Sequence, residues 1–232
     1  VFLCWDWLDV WLDVYGGGGR WFILIAEDEA GSLLGAAPMM IARSATSAGG
    51  WLRVLTLLGQ QADTASEYLD WIALRECEEE VTGAFARCLF GELRADWDVM
   101  ELAFVREDAA ILPALHAAFE HTGVTPAIEF QTNSPFLPLP AAWEEFAASR
   151  SGSFRNKLGK FHRDHKTAFR EPGVDMTVPE AMALIRELHG RRWSGRSSSF
   201  TSADYIRFHD QIAGRFHAQG RLLLLLLQID GQ

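Results

Sequence analysis

Four residues near the middle of the second half, His189, Arg191, Arg192 and Trp193, form the densest chemical grouping in the chain. An imidazole titrates near neutrality, so His189 is a candidate general base for removing a proton from an amine or hydroxyl. Arg192 is suited to an anionic group and Trp193 to the face of a sugar ring. The plain alternative is a helix C-terminus, where cations complement the dipole and the tryptophan packs. A second grouping is basic. In residues 151–170, Phe154, Leu158, Phe161, His165 and Phe169 recur at helical spacing, and Arg155, Lys157, Lys160, Arg163, Lys166 and Arg170 fill the other faces. Arg155 and Lys157 are the candidates there for holding a ligand, and the aromatic stripe is expected to pack. Tyr68 and Asp70 form a third, smaller candidate at a strand end. His162 and His165 lie three apart, but there is no second pair at zinc spacing and the surrounding cations oppose a metal ion. Serine-hydrolase and phosphate-loop motifs are missing; the glycine run at 16–19 is followed by no Lys-Ser/Thr.

The elements that position these residues belong to a globular chain. Its 232 residues are 49% hydrophobic and 22% charged, enough to bury a core. No apolar run approaches the roughly 20 residues of a membrane-spanning helix. Three cysteines without CxxC spacing argue for a reducing compartment, so the expected location is cytoplasmic. Charge is divided by half. Residues 1–149 hold 7 basic and 23 acidic side chains, and residues 150–232 hold 14 and 8. An anionic partner is therefore expected on the second half. Net charge of -10 argues against a nucleic-acid-binding module, the rival reading of the basic helix.

Periodicity predicts a helix over 5–15, strands over 21–26, 33–42, 51–58 and 68–74, and a helix over 76–95. A strand over 97–104, a helix over 109–121 and a strand over 124–131 follow. This is an α/β unit with a mixed sheet, assigned to residues 1–132. Glu76, Glu78, Glu79 and Glu80 crowd its strand–helix junction, where they would repel a pyrophosphate, so no phosphorylated cofactor is expected there. Residues 133–150 read as a proline-rich connector entering a helix at 141. Residues 151–232 carry the basic helix, a short strand at 174–178, a helix begun by Pro179, a polar loop at 194–199, a helix over 201–219 and a leucine-rich strand over 221–229. Within the Pro179 helix, Ala183, Leu184, Leu188 and Trp193 are the expected packing residues. The last strand leads into Asp230-Gly231 without a partner following it, so this second unit is expected to be cut short, its strand edge unpaired.

Several stretches are similar to one family. Residues 2–11, Gly35-Ala-Ala-Pro38, Glu67-Tyr-Leu-Asp70, Ser151-Gly-Ser-Phe-Arg-Asn-Lys-Leu158 and His189-Gly-Arg-Arg-Trp193 with Phe200 occur in order. Together they resemble the CelD/BcsL-type acetyltransferases of cellulose biosynthesis, in the GNAT superfamily and related to FemAB-like double-GNAT enzymes. Glu67 departs from the family's Asp. The resemblance implies two tandem GNAT-like units, the first not binding CoA and the second incomplete, with the acyl-CoA loop beyond residue 232. It implies transfer of an acyl group from acetyl-CoA or another acyl-CoA to a saccharide or cell-envelope acceptor, without a metal. The alternative it implies is aminoacyl transfer from aminoacyl-tRNA to a peptidoglycan precursor. His189 would be catalytic; Arg155, Lys157, Arg192, Trp193, Tyr68 and Asp70 would bind substrate.

Overall fold

The computed structural model describes all residues except 61, 62, 65, 121, 123, 124, 195, 198 and 232. The architecture is mixed α/β, with seven α-helices among the described residues. Two compact units are distinguished, Val1–Glu129 with Ser198–Arg215, and Phe130–Ser197 with Phe216–Gln232.

The first unit opens with α1 (Trp5–Tyr15), which buries Leu8, Val10, Trp11 and Val14. The glycines at 16–18 turn the chain into β1 (Gly19–Glu27), paired antiparallel with β2 (Leu33–Ala45). β2 is long enough for two partners on its other edge, β3 (Trp51–Leu57) beside its second half and β4 (Ile72–Ala73) beside Gly35 and Ala36. β5 (Val99–Met100) joins β3 in parallel, which makes the sheet mixed, as expected. Gly35 is required by its packing: a Cβ there would sit 2.6 Å from the Ile72 carbonyl oxygen and 2.6 Å from a Val81 methyl.

α2 (Glu78–Phe90) lays Val81, Phe85, Ala86 and Leu89 on a core that includes Met39, Leu55, Leu57, Trp71 and Trp97. It is shorter than the predicted 76–95. Gly91 closes it by donating its N–H to the Arg87 carbonyl, and a separate 3-10 turn, Arg94–Asp96, follows. The strands predicted at 68–74 and 97–104 shrink to two residues each. α3 (Ile111–Glu120) is present within the predicted range. The strand expected over 124–131 is not formed at 125–131, where Ile128 and Phe130 stand exposed, and Val124 lies outside the described residues. Pro126 removes a ladder donor in that run.

The second unit departs further. After α4 (Trp143–Ser149), Ser151 caps α5 (Gly152–Asp164) by accepting from the Phe154 N–H. The predicted helix over 151–170 is therefore two elements: α5 stops at Asp164, and β6 (Thr167–Arg170) pairs antiparallel with β7 (Leu226–Ile229). Asp230 locks this pair, accepting the Lys166 N–H at 2.9 Å and standing 2.8 Å from His165 Nδ1. On one edge the leucine-rich strand is thus paired with β6, some sixty residues upstream, and among the described residues its other edge carries no ladder. A local helical period at 165–169 lost to a long-range ladder. No residue of α5 is fully buried: Leu158 and Phe161 are half-buried, Phe154 is 41% exposed, and on β6 Phe169 is 65% exposed, so the expected packing face is only partly covered. Leu222–Leu227 is likewise not a buried strand: only Leu226 and Leu227 of it lie in β7, and Leu223 is 80% exposed.

α6 (Val178–Trp193) begins as expected at Pro179, reinforced by a reciprocal Thr177–Glu180 capping box. It takes up Val178, so the strand expected at 174–178 is a turn with a single bridge, Pro172 to Met176. Its buried residues are Val178, Ala181 and Met182; Ala183, Leu188 and Trp193, expected to pack, are exposed. In the loop after α6, residues 195 and 198 lie outside the described residues. α7 (Ala203–Ala218) buries Phe208, Ile212 and Ala213. Up to Arg215 it belongs to the first unit, where Phe208 meets Trp7 edge to face at 4.8 Å. Arg215 pairs with Asp9, Gln211 donates to Asp13, and Arg207 donates to the Val14 carbonyl. Among the described residues no helix is long and apolar enough to cross a membrane.

Candidate functional site

The last turn of α6 brings together His189, Arg192 and Trp193, three of the residues singled out by type and spacing. Positions i, i+3 and i+4 share a helix face. The His189 ring lies 6.3 Å from that of Trp193, tilted by 40°, and the Arg192 guanidinium stands over the Trp193 ring at 5.4 Å. Trp193 is 42% exposed, so its indole is a partly open platform rather than core. Arg191 turns away to pair with Glu187. Ser194 ends the helix in the left-handed conformation, its N–H donated to the Gly190 carbonyl. The result is an imidazole, a guanidinium and an aromatic face grouped at a helix C-terminus. Such a set can accept a proton, hold an anion and seat an apolar ring face.

Other candidates have local structural partners. Arg155 donates through Nη1 to the Ala148 and Arg150 carbonyls, satisfying acceptors at the C-terminus of α4. Lys157 stands exposed on α5. In the first unit, Asp70 accepts the backbone N–H groups of Trp71, Ala110 and Ile111, so its carboxylate caps the start of α3. Burial raises its pKa, and those three donors oppose the rise. Tyr68 has a left-handed backbone, φ 56°, and the Arg106 guanidinium lies 5.9 Å from its ring. At the β4–α2 junction Glu78, Glu79 and Glu80 occupy the first turn of α2, exposed, with Glu76 just before it. That junction does not fit a pyrophosphate. Among the described residues no group of three or more His, Cys, Asp or Glu is placed to hold a metal ion.

One histidine outside these groupings is distinctive. His209 stacks on Tyr205 at 4.1 Å, with Phe200 and Phe208 against it, and its Nδ1 lies 2.8 Å from the Tyr205 carbonyl. A carbonyl only accepts, so Nδ1 carries a proton in this contact. Burial lowers its pKa, opposed by the Tyr205 carbonyl and by Asp210. A depressed histidine binds fewer protons folded than unfolded, so stability rises with pH across its titration. The first unit should therefore be at full stability above about pH 6.5, the unfolded value, and lose stability as the pH falls toward the folded pKa. Denaturant unfolding at pH 7.5 and 5.5, compared with His209→Phe, isolates this contribution. The same pH dependence in both proteins would remove His209 as its source.

Residues 148–232, which hold α5, β6, α6, α7 and β7, match the family model described as Acetyltransferase (GNAT) domain. The match supports the GNAT superfamily and acyl transfer in general. No curated protein matches the chain. Among solved structures, a mutant of the BH1408 protein from Bacillus halodurans is similar at 14% identity over 54% of this chain and 71% of that one. Its TM-score of 0.32 is too low to bear on fold or activity.

Proposed function

We propose that the protein is an acyltransferase that moves an acyl group from acyl-CoA to a saccharide or cell-envelope precursor, with the acceptor seated at the His189–Arg192–Trp193 turn. The observation that carries the reading is the acetyltransferase-domain match over residues 148–232, which includes that turn. GNAT domains use acyl-CoA, and the glutamates of the β4–α2 junction argue against seating the donor's pyrophosphate at that junction. In this reading the acceptor hydroxyl or amine attacks the thioester carbonyl directly. His189 takes the acceptor proton, the carbon–sulfur bond breaks, and the departing CoA thiolate takes up that proton to leave as the thiol, which returns His189 to its starting state. Trp193 supports the sugar ring, and Arg192 and Lys157 hold anionic parts of the acceptor or donor. Arg155 joins them through Nε and Nη2, while Nη1 keeps the Ala148 and Arg150 carbonyls. Asp70, offered from sequence as substrate-binding, is given no part here, because its carboxylate already caps α3; Tyr68 stays in the proposal as a substrate contact of the first unit. The cellulose-type assignment, the pair of tandem GNAT-like units and a cytoplasmic location belong to the same proposal.

The test is release of free CoA thiol from acetyl-CoA, with and without oligosaccharide and sugar-nucleotide acceptors. Acceptor-dependent thiol release, with acyl-saccharide found by mass spectrometry, is the expected result. Transfer from aminoacyl-tRNA without any thiol release would overturn it in favour of aminoacyl transfer.

A further inference from the structure

Residues 1–149 are strongly acidic, yet three of their seven basic side chains meet in one place. Arg20, Arg43 and Arg53 line a cleft of about 500 Å³ together with Gly17, Gly18, Gly19, Ile41 and Asp96. The sheet register explains how. Arg20 pairs across with Ile41 and Arg43 with Arg53, and Ile41 and Arg43 are two apart, so all four point to one face. This is the face that carries Met39, Leu55 and Leu57 in the core, continued past the core's end with guanidinium groups.

Two of the cations have partners. Arg53 grips Asp98 through Nε and Nη2, at 3.1 and 2.7 Å, and donates Nη1 to the Ala95 carbonyl. This hold draws the Asp98 carboxyl down to about 2. Arg20 pairs with Asp96 at 2.5 Å. The Arg43 guanidinium has neither an ion pair nor a hydrogen bond among the described residues, although it stands directly opposite another arginine. Like charges in that register are destabilising unless something neutralises them. The glycines complete the cleft. Gly19 is demanded by packing, since a Cβ would lie 2.5 Å from the Ile41 carbonyl oxygen. Gly17 and Gly18 face open space and are not left-handed, so packing does not require glycine there. Their bare backbone leaves room beside the guanidinium groups.

We infer that this cleft is a binding site for a small oxyanion-bearing molecule, phosphorylated or polycarboxylate, with Arg43 as its free cationic contact and Arg20 and Arg53 as held flanks. A guanidinium presents paired donors that match phosphoryl and carboxylate oxygens alike, and the cleft has the volume of ordinary ligand pockets.

Calorimetric titration of the whole chain with pyrophosphate, and separately with citrate, tests it and tells the two oxyanion sources apart. Saturable binding of at least one, weakened by added salt and about tenfold weaker in Arg43→Gln, is expected. Arg43→Lys should recover part of it, and Gly17→Val, whose Cβ has open space around it, should weaken it by crowding the cleft. Absence of heat for both anions at millimolar concentration overturns the site. So does binding that survives Arg43→Gln and disappears with Lys157→Gln, which places the anion on α5. The test needs no acyl donor, so its outcome is independent of the proposed transfer reaction.

Discussion

Phe208→Ala should cost the first unit about 3–5 kcal/mol, the range for truncating a buried phenylalanine. Phe208 is fully buried, and its ring meets Trp7 at 4.8 Å and Tyr15 at 6.0 Å. Removing it opens a cavity between α1 and α7, because neither helix can close on the other while the ties at Asp9, Asp13 and Val14 hold. Denaturant unfolding followed by tryptophan fluorescence measures the loss, since Trp7 and Trp11 both lie on α1. The contrast is Phe154→Ala, which should change stability by no more than about 0.5 kcal/mol because that ring is exposed on α5. Equal effects of the two substitutions would mean that α7 does not pack on α1 as described.

His189→Ala should lower kcat for acyl transfer by roughly 10²- to 10⁴-fold, the usual contribution of a positioned general base. KM for acyl-CoA should stay nearly constant, because in the proposed reaction the imidazole acts on the acceptor. Trp193→Ala should instead raise KM for a saccharide acceptor by about three- to tenfold, on the scale of a lost aromatic contact. Wild-type turnover in His189→Ala would remove the histidine from the chemistry and leave the α6 turn as a binding feature alone.

Helix existence was legible wherever period and punctuation agreed. Pro179 marked the start of α6, Gly16 the end of α1 and the glutamates at 78–80 the first turn of α2. The hairpin of β1 and β2 was legible for the same reason, two apolar runs around a Glu-Asp-Glu-Ala-Gly turn. The grouping of His189, Arg192 and Trp193 was legible too, because a helix converts spacing along the chain into adjacency on a face.

The arginine cleft was missed. Its three cations lie 23 and 10 residues apart on three strands, and only the register of β1, β2 and β3 puts them on one face. The available signal was the Arg43–Arg53 pair, which a hairpin through Gly49-Gly50 sets opposite each other.

By itself, then, the sequence determined the α/β class, most of the helices, the charge division and the resemblance to acetyltransferases, all of which follow from local period and composition. Only the tertiary structure decided three things. The run from His165 to Phe169 leaves the helix for a ladder with Leu226–Ile229; α7 joins α1; the arginines of the acidic half share a cleft. Each is a contact between residues distant in the chain. Its free energy comes from burial, ladder hydrogen bonds and ion pairs that no local window contains, and these outweigh the small propensity differences a local reading depends on.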